Sequence, residues 1–281
     1  MKFGKITIIG VGLIGGSVGL AIKKRKLAKE VWGVGRRASS LKNAKRAGAV
    51  DVTTLDLAAG IKGADLIIIA TPISLIPQHA LRIAALSGIA KKGLIITDAG
   101  STKEFVVSKL EKILPKEIHF VGSHPFAGRE KTSVLNASAD LLKGALVFVT
   151  PTKKTNKSAL NRISNFWEAA GANVVMMTAK KHDEIVSDIS HMPHIIASAL
   201  AGAVDVNDAK FGSTGFRDTT RIASGDPLMW RDICLSNAGN LLKSIGKFKK
   251  SLSFFEAAIK SKNVKFLMQQ LEAAKKKRES I

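Results

Sequence analysis

Residues 5–15 read Lys5-Ile6-Thr7-Ile8-Ile9-Gly10-Val11-Gly12-Leu13-Ile14-Gly15. The first five are dominated by β-branched apolar residues and predict a buried strand. Three glycines follow at once, and the pattern from Leu13 to Lys24 predicts a helix. A strand, a glycine turn and a helix in this order form the dinucleotide fingerprint. Gly10 permits the tight turn, Gly12 keeps a side chain away from a pyrophosphate, and Gly15 allows close helix–strand packing. The helix N-terminus, with the backbone of Leu13 and Ile14, offers free N–H groups and a positive dipole end to phosphate.

Further apolar runs continue the pattern downstream of Ile6–Ile9: Val31–Val34, Leu66–Ile69, Leu94–Thr97, His119–Val121, Leu146–Val149 and Asn173–Met177. Strands apolar on both faces belong to a parallel sheet covered by helices. Their alternation with helix-like stretches predicts a doubly wound α/β unit. After residue 178 no convincing strand remains. Ile185, Ile189, Ile196 and Leu200, and later Phe266, Leu267 and Leu271, recur at helical spacing. The expected layout is a dinucleotide-binding unit over residues 1–178 and an all-helical unit over 179–281.

A chain of 281 residues with 46% hydrophobic and 23% charged residues can bury a sizeable core and is not disordered. Its one cysteine, Cys234, cannot form an internal disulfide and is expected to be buried; a reducing cytoplasm fits. No stretch approaches the about 18 apolar residues of a membrane span, and the N-terminus lacks a signal-peptide layout. The formal net charge is +22, yet the basic residues are spread along the chain and only Lys275–Arg278 form a run. With aromatics at 5% and no nucleic-acid motif, the charge reads as a solvated surface favouring anionic small molecules, not as a nucleic-acid footprint.

The second strand runs into Gly33-Val34-Gly35-Arg36-Arg37. NAD-binding versions usually place a carboxylate near this point; here Gly35 takes the place and two arginines follow. Arg36 and Arg37 suit a 2′-phosphate, which favours NADP, with NAD as the alternative. Thr71 and Pro72, after Leu66–Ile69, should border the cofactor crevice. Ser101 and Thr102 are candidates to cap the helix after Leu94–Thr97. His124, in Gly122-Ser123-His124-Pro125-Phe126-Ala127-Gly128-Arg129-Glu130, follows a strand and should lie at the ligand-binding edge of the sheet, where a histidine is the natural proton acceptor near neutral pH. His191 and His194 share a helix face but lack the partner ligands of a zinc site, so no metal is expected.

Several segments together resemble prephenate/arogenate dehydrogenases: Gly12–Ser17, Asp98–Lys103, Ser123–Glu130, Ser190–His194, Phe216–Ala223 and Asp226–Asp232. They stand in the family's order between residues 5 and 240. The resemblance implies an oxidative decarboxylation. Hydride passes from a ring carbinol carbon to a nicotinamide, carbon dioxide leaves opposite, and the ring becomes aromatic. It implies that His124 takes the hydroxyl proton, that Ser101 orients that hydroxyl, and that His191 and His194 lie near the substrate. Arg221 would pair with a substrate carboxylate and Trp230 would wall the pocket. Asp218 and Glu130 would be polar groups near the substrate or the domain gate. A homodimer formed through the helical unit is also implied, and prephenate is slightly favoured over arogenate. Two other readings stand beside it. One is another NADP-linked β-hydroxyacid dehydrogenase or imine reductase, disfavoured by Ser123-His124-Pro125. The other is a non-catalytic nucleotide-binding regulator using its basic surface on nucleic acid.

Overall fold

The computed structural model describes residues 2–128 and 133–280. Its eight strands are β1 (Phe3–Ile9), β2 (Ala28–Val34), β3 (Val52–Thr54), β4 (Leu66–Ile69), β5 (Ile95–Asp98), β6 (His119–Phe126), β7 (Leu146–Thr150) and β8 (Asn173–Met176). They form one sheet in the order β3-β2-β1-β4-β5-β6-β7-β8. Helices α1 (Leu13–Lys24), α2 (Ala38–Arg46), α3 (Leu57–Ile61), α4 (Ile76–Ala85), α5 (Glu104–Ile113) and α6 (Lys157–Ala169) connect them.

The apolar strands are shared between two cores, as the period of two requires. Ile6, Ile8, Leu66 and Ile68 face one core with α1 and α6, around Val18, Ile22, Phe166 and Trp167. Ile9, Ile67 and Ile69 face the other, with Ile61, Ile76, Ile83, Val106 and Leu110 of α3, α4 and α5. All four residues of β4 are fully buried. Each buried Ile or Leu contributes about 1.5–3 kcal/mol, so the central strands anchor the unit.

In the sheet, two features depart from the sequence expectation. The short β3 pairs with the edge of β2; Val52-Thr53-Thr54 is too brief and too exposed to stand out as an apolar run. The sheet is also not wholly parallel, because β7 runs antiparallel to β6. His124 therefore lies inside an extended strand, paired opposite Phe148, and not in a loop after it.

Beyond β8 only helices are described: α7 (Ala179–Val186), α8 (Met192–Ala203), α9 (Val206–Ala209), α10 (Thr214–Thr220), α11 (Pro227–Ser236), α12 (Ala238–Lys260) and α13 (Val264–Glu279). A single π-helical turn, Ser187–His191, joins α7 to α8, and a 3₁₀ turn, Arg221–Ser224, joins α10 to α11. Ile233 of α11 packs into the second core, which ties the helices to the sheet. The expected apolar stripe is not the inward face. Ile189 and Leu200 are exposed, whereas the inward face carries His182, Asp183, Val186, Ser187, His191, His194 and Ala197. Cys234, expected buried, is half-buried, and burial pushes its thiol up. Among the described residues no helix is long and apolar enough to cross a membrane.

Candidate active site

The chain winds from β1 outward to β3 and then crosses back to β4, so the sheet changes direction between β1 and β4. Ligands bind at such a point, outside the carboxyl ends of the strands. Gly10 leaves β1 there with φ +91°, a conformation that side-chain-bearing residues rarely adopt. A Cβ at Gly15 would lie 2.2 Å from the Gly10 carbonyl oxygen, so helix α1 packs at a distance that only glycine allows. At Gly12 the opposite holds: nothing lies within 4 Å of a Cβ, which leaves an open cradle. Gly12 caps α1 without a side-chain hydrogen bond, so the first N–H groups, including those of Leu13 and Ile14, stay available to phosphate. Across the cradle, Thr71 holds a buried hydroxyl with no hydrogen-bond partner among the described residues. Pro72 beside it is exposed, as are Arg36 and Arg37 beyond β2. Burial lowers the pKa of half-buried His79, and the charges of Arg82 and Arg36 act in the same direction. An open glycine cradle, an orphan hydroxyl and a basic rim fit a dinucleotide.

Because β6 continues past the end of β5, Ser123 and His124 emerge at the same carboxyl edge. His124 is 7% exposed, walled edge-on by Phe126 and flanked by Phe148. Its Nδ1 lies 2.8 Å from Nε2 of His182, and Nδ1 of His182 lies 2.7 Å from Oδ1 of Asp183. Burial holds the His124 pKa well below its ordinary value, and the neighbouring His182, Lys103 and His191 act in the same direction. The free base is therefore the form present at neutral pH.

Asp183 has a second task. It accepts the backbone N–H groups of Lys103 at 2.7 Å and of Glu104 at 2.9 Å, at the start of α5. The cap expected from Ser101 or Thr102 thus comes from the helical unit. Thr102 instead pairs with Ser236 at 3.0 Å, and Ser101 is half-buried in the turn. Lys103 is fully buried, and its ammonium donates to Asp98 and to the Ser123 carbonyl, the latter at 2.7 Å. Burial lowers its pKa, and Asp98 raises it in part.

A second group comes from the π-helical turn, α8 and α11. The rings of His194 and Trp230 stack with centroids 3.5 Å apart, and His191 meets Trp230 edge-on at 6.2 Å. Burial pushes His191 down to about 4, the Asp183 charge opposing it in part. Asn237 links both groups, donating to the Asp183 carbonyl at 2.8 Å and lying 3.3 Å from Nδ1 of His191. The His194 Nδ1 is buried with no hydrogen-bond partner among the described residues, and the Ile222 carbonyl lies by the same ring.

Arg221 opens the 3₁₀ turn that carries Ile222, and its side chain is exposed; Asp218, on α10, is exposed as well. Glu130 lies outside the described residues. Among the described residues, no group of three or more His, Cys, Asp or Glu could hold a metal ion. Sequence reasoning missed His182, Asp183, Lys103 and Asn237. His182 and Val186, four apart, share a face of α7, but nothing in Lys181-His182-Asp183-Glu184 marks that face as the buried one.

Comparison with known proteins agrees with this arrangement. The family model for the prephenate dehydrogenase nucleotide-binding domain matches residues 18–176, and that for the prephenate dehydrogenase dimerization domain matches residues 178–273. Prephenate dehydrogenase of Bacillus subtilis (strain 168) is 35% identical over 284 residues, covering 98% of this chain and 76% of its own. Cyclohexadienyl dehydrogenase of Zymomonas mobilis is 32% identical, covering 98% of this chain and 95% of its own. The crystal structure of prephenate dehydrogenase from A. aeolicus in complex with hydroxyphenyl propionate and NAD+ superposes with a TM-score of 0.92 at 33% identity, covering 100% of this chain and 99% of that one. With a dinucleotide cradle, a buried neutral histidine on the same edge of the sheet and both family domains matched in order, the chain belongs to the prephenate dehydrogenase family.

Proposed function

We propose that the chain oxidises and decarboxylates prephenate, with arogenate as the alternative substrate, in a step toward tyrosine. The observation that carries this reading is the placement of neutral, buried His124 at the sheet edge that also bears the Gly10–Gly15 cradle. When bound, the nicotinamide supplies the acceptor for the hydride of the ring carbinol carbon. His124 takes the hydroxyl proton as that hydride leaves and returns it to the ring oxygen as carbon dioxide departs, and Ser101 orients the hydroxyl. The ring carboxylate departs as carbon dioxide and the ring becomes aromatic, so the protein mainly has to position its substrate and accept a proton.

Arg221 pairs with a substrate carboxylate, a task suited to the fork of a guanidinium. His191, His194 and Trp230 wall the pocket, and Asp218 and Glu130 stand near its entrance. Gly10, Gly12, Leu13, Ile14, Gly15, Thr71 and Pro72 hold the cofactor. The absence of a carboxylate at Gly35, with Arg36 and Arg37 following, favours NADP; the NAD+ in the A. aeolicus complex supports NAD as the alternative. The division falls at residues 178 and 179, and two copies pair through the helical unit, as the description of its matched family domain supports. A single thiol suits a cytoplasmic setting.

A steady-state matrix of prephenate and arogenate against NADP and NAD tests the reading. Reduced nicotinamide should accumulate fastest with prephenate and NADP. Accumulation with none of the four pairs contradicts the assignment.

A further inference from the structure

As a base, His124 offers one of two ring nitrogens, and its partners decide which one is free. We infer that His182 and Asp183 are positioning residues that hold His124 as the Nδ1–H tautomer, leaving Nε2 to accept the substrate proton; the inference rests on the proposed function only in naming that proton. Asp183 is the outer end of this chain of contacts. Its Oδ1 accepts the Lys103 N–H at 2.7 Å and its Oδ2 the Glu104 N–H at 2.9 Å, so it acts as an acceptor on both oxygens. The same Oδ1 lies 2.7 Å from Nδ1 of His182. A bare nitrogen there would set two lone pairs against each other, so Nδ1 of His182 carries the proton and donates.

Neutral His182 then presents a lone pair at Nε2, and that atom lies 2.8 Å from Nδ1 of His124. Two lone pairs cannot share this contact either. Nδ1 of His124 must donate, and Nε2 is left unprotonated. When the proton arrives at Nε2, the new imidazolium already donates toward His182, and the Asp183 charge lies one ring beyond. The backbone cap of α5 therefore sets the tautomer of a base on another strand.

Nitrogen NMR of uniformly labelled protein reads the tautomer without any substrate, the His124 signals being assigned against His124→Asn. Nδ1 of His124 should give a pyrrole-type signal and Nε2 a pyridine-type signal; the reverse overturns the inference. Kinetics give the second readout. His182→Leu removes the acceptor and should lower kcat by about a hundredfold or more with KM within about twofold. His182→Gln, whose amide oxygen can accept from His124, should retain kcat within about tenfold of the wild type. Equal kcat for His182→Leu and the wild type also overturns it. If the expected nitrogen pattern appears but the wild type turns over none of the four pairs, the proposed function fails and the tautomer stands.

Discussion

At the scale of single residues, glycines at two neighbouring positions have different uses, and the difference is measurable. Gly15→Ala drives a Cβ against backbone 2.2 Å away and should destabilise the fold by about 2 kcal/mol or more in urea unfolding. Gly12→Val enters open space, so stability should stay within about 1 kcal/mol of the wild type. Its cofactor affinity should nevertheless fall at least about tenfold, because the valine occupies the pyrophosphate cradle. Equal cofactor Kd for Gly12→Val and the wild type would show that the cradle is not where the dinucleotide lies. Both glycine roles were legible in the motif, because the spacing itself encodes the turn. His182 and Asp183 were not: Lys181-His182-Asp183-Glu184 reads as a solvated, charged helix start. Only the fold turns this face inward, where Asp183 meets two orphan N–H groups of α5.

At the scale of elements, the π-helical turn and α8 carry a buried histidine face, and acid should attack it. His191 is pushed down to about 4 in the folded state from an ordinary 6.5, so the unfolded chain binds more protons between these values. Stability is full above the unfolded pKa and is lost as pH falls from 6.5 toward about 4. Burial depresses His124, His182 and His194 in the same direction. The urea midpoint should therefore drop markedly from about pH 7.5 to about pH 5, and His191→Gln should flatten that dependence. A midpoint that stays constant over this range would mean that these rings are not buried neutral. The strands were legible where apolar residues run without interruption, as in Leu66–Ile69. β3 and the antiparallel turn into β7 were not, because pairing direction depends on the path of the chain between strands and not on the residues of either strand.

At the scale of the whole molecule, the helices expose large apolar side chains among their lysines. Leu235 is 71% exposed and Leu242 68% exposed, and Ile189, Leu200, Phe211 and Leu271 are exposed as well. The helical periodicity of Ile185–Leu200 was readable, but not that Ile189 and Leu200 face outward, because periodicity alone does not say which way an apolar stripe is turned. Sedimentation should show a dimer, and the double variant Leu235→Asp, Leu242→Asp should sediment as a monomer with reduced stability. A wild-type monomer at micromolar concentration would contradict the paired arrangement.

If His124 is the base that serves a bound nicotinamide, removing its imidazole must slow hydride transfer, and one pair of rate constants shows whether it does. His124→Asn and the wild type are compared in a stopped-flow single turnover with prephenate and the preferred cofactor, after cofactor Kd has been shown equal for the two proteins. Reduced nicotinamide should form at least about a hundredfold more slowly in the variant. Equal rates in the two proteins would contradict it.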